Sequence, residues 1–188
     1  EATIFEIPEL NYRSIIKAIR TGNGLTATIE TPPEYGKYHF DGHRNCNFSC
    51  PPKETIKLNG KCPVCNSQLT IGVENRINSI AKEPEGFVPQ DAKLFYKLLP
   101  LHELIALHLN STLTTKKTSA MHYELIEKFS NEFNLLLDSS KEEMLNAKID
   151  EKLVELILLN RKGKLKLKPG YDGEYGKVLL PEPQIKLF

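Results

Sequence analysis

The sequence predicts an α+β chain, a small cysteine-bearing module followed by a mainly helical domain. Two observations predict it. All four cysteines of the 188-residue chain fall between Cys46 and Cys65. Apolar stripes at helical spacing fill residues 91–161. The bulk composition, 40% hydrophobic and 26% charged, is that of an ordinary globular chain. No apolar run reaches the roughly 18 residues that a membrane span requires. The opening "EATIFEIPEL" has no basic and then apolar leader, so a cytoplasmic location is expected. It also lacks a starting Met, as expected of a segment cut from something longer. A net charge of +1 does not announce a nucleic-acid binder, so charge placement must carry any such argument.

Residues 1–32 read as strand, helix, strand. "TIFEI" alternates, and Asn11 is a candidate N-cap for a helix to about Arg20, with Tyr12, Ile15, Ile16 and Ile19 on one face. "TGNG" ends that helix, because Gly22 and Gly24 accept positive φ. "LTATIE" is the second strand. Pro32-Pro33 marks a boundary, and residues 33–84 hold the cysteines.

The spacing there is Cys46-x3-Cys50-x11-Cys62-x2-Cys65. Two thiolates two residues apart on a tight turn reach one ion at about 2.3 Å, and the second pair closes a tetrahedron. A closed four-thiolate shell makes the expected zinc structural rather than catalytic. The alternative is a pair of disulfides, which needs an oxidising compartment. His43, three residues before Cys46, and His39 are rival ligands. "LTIGV" and Pro51-Pro52 suit a small zinc ribbon, which ends in a short helix from Val73 to about Lys82.

"KEPEGFVPQD" reads as a linker into a helical domain over 85–180. "PLHELIALHLN" is a short helix. "SAMHYELIEKFSNEFNLLLDS" spaces Met121, Leu125, Ile126, Phe129, Phe133 and Leu136 as one apolar stripe, with Ser119 as N-cap. "DEKLVELILLNRKG" is a third helix between Asp150 and Gly163. "GKLKLKPGYDGEYGKVLLPEP" is then strand, glycine turn and strand, with residues 181–188 as a tail.

"GKYHFDGHRNC" followed by "CPVCNSQLTIGVENRI" resembles the endonuclease Q family, DNA-repair nucleases that nick beside deaminated bases. The resemblance covers the whole chain and implies a C-terminal half. In it, 1–32 is the end of a polymerase-and-histidinol-phosphatase (PHP) domain, and "KPGYDGEYG" is the family's C-terminal turn. PHP catalysis needs an H-x-H pair that this sequence lacks. The resemblance therefore implies that further catalytic metals belong to a PHP domain outside this chain, and that the chain alone is inactive.

The implied partner is duplex DNA carrying uracil, hypoxanthine or an abasic site. Candidate DNA contacts are Arg13 and Lys17 with Arg20 on the first helix, His43 and Arg44 in "DGHR", and Arg161, Lys162, Lys164, Lys166 and Lys168 in "RKGKLKLK". On a strand the alternating lysines share one face and the leucines the other. The competing reading of such stripes is a solvated face. Asp41 is expected to orient Arg44 or His43.

The terminal "QIKLF" resembles the bacterial sliding-clamp-binding pentapeptide, with Gln184, Leu187 and Phe188 as its anchors. The clamp reading points to a bacterial source and its nucleoid. The alternative is a last strand tucked onto the fold. Two other functions compete with DNA repair. One is a zinc-ribbon adaptor that binds proteins. The other is a metallohydrolase using His39, Asp41 and His43, which an extended H-x-D-x-H places on one face.

Overall fold

A computed structural model describes residues 1–179. In chain order these form β1 (Ala2–Phe5), α1 (Tyr12–Thr21), β2 (Leu25–Glu30), β3 (Asp41–His43), β4 (Phe48–Cys50), α2 (Pro52–Lys57), α3 (Val73–Ile80) and β5 (Leu94–Lys97). They continue with α4 (Leu101–His108), α5 (Lys116–Phe129), α6 (Lys141–Asn146), α7 (Glu151–Arg161), β6 (Leu167–Lys168) and β7 (Lys177–Val178). The chain divides into two units, each assembled from two separate segments.

Unit one joins residues 1–31 to 91–165. Asn11 Oδ1 accepts the Ser14 N–H at 2.9 Å and starts α1; Gly22, at φ 73°, stops it. Such a cap contributes about 1 kcal/mol. β1 and β2 pair antiparallel, and β5 joins β2 in parallel, from Ala27 opposite Leu94 to Glu30 opposite Lys97. The sequence placed β5 near a linker. Residues 1–32 thus share a sheet with a strand far along the chain, and do not form a unit of their own.

The helical core of this unit is mainly apolar. Leu99, Leu101, Leu104, Ile105, Leu135, Met144, Leu153 and Ile157 have no accessible surface. Burying each stabilises by about 1.5–3 kcal/mol. Asn160 is a buried polar residue among them, as are Thr118 and Ser139. Asn160 Oδ1 accepts the Leu99 N–H at 2.9 Å and its Nδ2 donates to the Leu99 carbonyl at 3.0 Å, closing both backbone groups of one residue. The expected single helix over 119–139 is broken. Thr115, not Ser119, caps α5, and Ser130 at φ 69° turns the chain. Asn131 Oδ1 then accepts the Asn134 N–H at 2.9 Å and begins a wide-turn segment, Asn134–Asp138. Ser140 and Glu143 close a capping box that starts α6.

Unit two joins 32–90 to 166–179. The expected boundary at 85 therefore misplaces the C-terminal turn, which belongs with the cysteines. The Gly170 carbonyl accepts the N–H groups of His39 and Phe40 at 3.1 and 2.9 Å, and the Tyr35 carbonyl accepts the Gly176 N–H at 3.0 Å. A Cβ on Gly170 would collide with the Gly36 carbonyl oxygen, so only glycine fits. The expected lysine strand over 164–168 is reduced to the two residues of β6.

A candidate metal centre in the cysteine module

Two turns of the same design face each other in unit two. β3 and β4 pair antiparallel, with Asp41 opposite Cys50 and His43 opposite Phe48. The tip is a short 3-10 turn, Arg44–Cys46, ended by Asn47 at φ 49°. The second turn runs Cys62–Cys65 and ends at Asn66, φ 60°. There the Cys62 N–H donates to the Ser67 carbonyl and the Asn66 N–H to the Cys62 carbonyl, both at 2.8 Å. Gly42 and Thr70 exchange backbone hydrogen bonds at 3.0 and 2.8 Å and hold the second turn against the hairpin.

The side chains that meet are His43, Cys46, Cys62 and Cys65, whose donor atoms all lie within 4.8 Å of one another. His43 Nδ1 is 3.3 Å from Cys65 Sγ. A tetrahedral ion with bonds near 2.3 Å keeps its thiolates about 3.8 Å apart, so this donor set fits one ion with little adjustment. Three thiols and an imidazole are the ligand chemistry of a structural zinc site.

Cys50 is not in this group, which corrects the four-thiolate expectation and also removes His43 from the candidate DNA contacts. The reason is strand length. Cys50 sits two residues back from the hairpin tip, roughly 6.6 Å along the strand. Its thiol is buried, 3.3 Å from Thr55 Oγ1, in a small cluster with Cys62 and Leu69. Burial raises its pKa, as suits a packing thiol. The sequence carried the better pairing. His43-x2-Cys46-Asn47 repeats Cys62-x2-Cys65-Asn66, whereas Cys46-x3-Cys50 does not.

The thiols start from unequal protonation. Hydrogen bonding to Cys65, then burial, pushes Cys46 up to about 11. The Ser67 side chain and backbone hold Cys65 down at about 6. Any cation held here would have to displace the protons these thiols carry.

Asp41 does not orient Arg44 or His43. It has no accessible surface and accepts three hydrogen bonds, from Thr55 Oγ1 (2.5 Å), the Gly72 N–H (2.6 Å) and Asn75 Nδ2 (2.5 Å). It thereby ties β3 to α2 and α3. Asp172 instead anchors the Arg44 backbone: its Oδ2 accepts the Arg44 backbone N–H at 2.8 Å and its Oδ1 accepts from Thr70 Oγ1 at 2.6 Å. Burial alone would raise the Asp172 pKa; the Thr70 and Arg44 hydrogen bonds outweigh it and lower the pKa. His39 turns to Glu74 at 3.0 Å. With His39, Asp41 and His43 each held by different partners, the three do not form a common site, and the metallohydrolase reading falls.

Of the expected DNA contacts, Arg13, Lys17, Arg44, Lys162, Lys164, Lys166 and Lys168 are exposed. Arg161 is not free. Its Nε donates to the Leu136 carbonyl at 2.7 Å and its Nη2 to the Leu135 carbonyl at 3.0 Å, closing the end of the wide-turn segment. Gln184, Leu187 and Phe188 lie outside the described residues. No described helix is long and apolar enough to cross a membrane.

Residues 100–164 match the family model described as the MJ0043 C-terminal domain. The uncharacterized protein MJ0043 of Methanocaldococcus jannaschii is 32% identical over 182 residues, 96% of this chain and 22% of its own length. The crystal structure of the lesion-specific endonuclease PfuEndoQ from Pyrococcus furiosus superposes with a TM-score of 0.82 at 28% identity, over 95% of this chain and 44% of that one. The chain is thus similar in fold and sequence to a portion of endonuclease Q. A second endonuclease Q structure, in complex with a 27-mer duplex substrate bearing an abasic lesion, superposes with a TM-score of 0.80 at 28% identity, over 95% of this chain and 45% of that one. The chain thus spans less than half the length of the endonuclease Q chains it matches, and about a fifth of the curated relative.

Proposed function

We propose that this chain is the DNA-binding C-terminal part of a repair endonuclease that nicks beside uracil, hypoxanthine or abasic sites. The observation that carries this reading is the likeness, over 95% of the chain, to an endonuclease Q solved with an abasic duplex. The His43, Cys46, Cys62 and Cys65 cluster holds structural zinc, which supplies folding energy and no reactivity. It fixes the hairpin tip and so aims Arg44, an exposed cation on a rigid scaffold, where a phosphate contact is best placed. Nicking belongs to a PHP domain outside this chain. The cysteine cluster is the one group able to hold a metal among the described residues, and it leaves no open position for catalysis.

The terminal "QIKLF" is read as a tether to a bacterial sliding clamp, which would bring the protein to the nucleoid. That part rests on the five residues and the prolines before them.

One observation favours the adaptor reading. Val73, Ile77 and Ile80 form an i, i+4, i+7 stripe on α3, each more than half exposed, which is a surface suited to protein contact.

The test is to incubate the chain with divalent metal and duplexes carrying deoxyuridine, deoxyinosine or an abasic site. Retention of the duplexes without nicking is expected. Nicking by this chain alone would refute the assignment of catalysis to another domain. Failure to retain any duplex would move the adaptor reading to first place.

A further inference from the structure

Arg44, Lys168, Tyr171, Glu174, Tyr175 and Lys177 line a groove of about 330 Å³ within unit two. That volume falls inside the range of ligand-binding clefts, about 300–1,000 Å³. Its charge is unbalanced. Three cations face one carboxylate, Glu174, and among the described residues no acid lies within the 4.0 Å of an ion pair from any of the three. Asp172, the nearby acid, already accepts from Thr70 and from the Arg44 backbone.

The lysines are placed against their own interest. Antiparallel pairing of β6 with β7 sets Lys168 directly opposite Lys177. Like charges directly opposite on a sheet are destabilising. An anion bridging them would turn that repulsion into attraction.

The aromatics complete the pattern. The Tyr171 hydroxyl donates to Asn47 Oδ1 at 2.9 Å, so this ring is a fixed wall. Tyr175 is 58% exposed, yet it is steadied by Lys37 Nζ 4.6 Å from its ring centroid and by the Tyr35 ring at 6.1 Å. An exposed, propped aromatic ring beside unpaired cations is the arrangement that binds unpaired nucleic acid, with phosphate on the cations and a base stacked on the ring.

We propose that this groove seats the backbone of an unpaired DNA segment, with Arg44, Lys168 and Lys177 on phosphates and Tyr175 as the stacking surface for an adjoining base. The proposal rests on the DNA-binding reading and adds the place and the strand form. Arg44 supplies the planar, bidentate phosphate contact that a lysine cannot. Glu174 repels phosphate from its own side of the groove and so keeps the backbone on the side of the cations.

Three zinc-loaded chains are compared by fluorescence anisotropy: wild type, Lys168→Gln/Lys177→Gln, and Tyr175→Ala. The probes are a labelled oligothymidylate and a labelled duplex, each titrated across salt. The double variant is expected to flatten the slope of log affinity against log salt by about 1.4 on the single strand, two phosphates at about 0.7 each. Tyr175→Ala is expected to weaken the single strand by about tenfold or more while leaving the duplex within about twofold. If wild type binds and both variants bind as it does, the groove is overturned and the DNA-binding reading stands. If the lysines matter but Tyr175→Ala weakens both probes equally or neither, the unpaired-strand assignment is overturned. Polyglutamate competing as well as the oligonucleotide would also overturn it. Wild type binding neither probe would refute both this inference and the reading beneath it.

Discussion

Asp41→Asn probes the hydrogen-bond hub that holds the metal module together. Asp41 Oδ1 accepts the Gly72 N–H, while Oδ2 accepts from Thr55 and Asn75. An asparagine keeps one acceptor oxygen and replaces the other with an amino group. In its better orientation it retains Thr55 and Asn75 and sets two donors, its own NH2 and the Gly72 N–H, against each other. An unpaired buried donor costs about 1–3 kcal/mol, and a charge-assisted hydrogen bond is lost as well. Removing the buried charge recovers part of that through reduced desolvation. The net cost works out at about 3 kcal/mol, a large share of the 5–15 kcal/mol typical of a domain. Asp41→Ala removes all three acceptors and should cost more. Native-state hydrogen exchange reads this locally. With zinc in excess, the Gly42 and Thr70 amides, paired to each other's carbonyls, should exchange roughly a hundredfold faster in Asp41→Asn. Acceleration below tenfold in both variants would refute the hub.

Metal retention should separate the cysteines. Cys50→Ala should keep one zinc per chain, whereas Cys62→Ser and His43→Ala should lose it at moderate chelator concentration; a Cys50→Ala chain that loses zinc as readily as Cys62→Ser would restore the four-thiolate site. A pH dependence follows from His102. Burial, aided by the adjacent His122, lowers its pKa below 6.5, against the opposing pull of Glu132 and Glu103. The two rings stack with centroids 3.8 Å apart, and His122 Nε2 is 3.7 Å from Glu132 Oε2, too long for a hydrogen bond. The unfolded chain therefore takes up this proton first, and stability is lost as pH falls through 6.5 towards the folded pKa. The melting temperature of unit one should fall over that interval, and less so in His102→Phe; equal falls in both would contradict the assignment.

The elements legible in the sequence were those with local start and stop signals. Asn11 and Gly22 bound α1, and Asp150 and Gly163 bound α7, because caps and left-handed glycines act within a few residues. What was missed depends on distant partners or on competing signals. "LFYK" becomes β5 only by pairing with β2, and no local pattern encodes that pairing. The apolar stripe from Met121 to Leu136 suggested one helix, while Ser130 and the Ser140-x-x-Glu143 box divide the segment. At the metal centre, counting cysteines favoured Cys50, although the repeated x2 spacing and the trailing asparagine pointed to His43. The place of "KPGYDGEYG" beside the cysteines was also hidden, since its hydrogen bonds reach back to residues 34–40.

The central claim is that this chain holds DNA by its backbone. The most direct test is the affinity of the zinc-loaded chain for a duplex with one abasic site, measured across salt. Three seated phosphates require a slope of log affinity against log salt of about −2.7 or steeper on duplex DNA, and somewhat shallower where the strand is unpaired. A slope near zero, or no binding at low salt, would contradict the account and leave the metal module as a protein-facing scaffold.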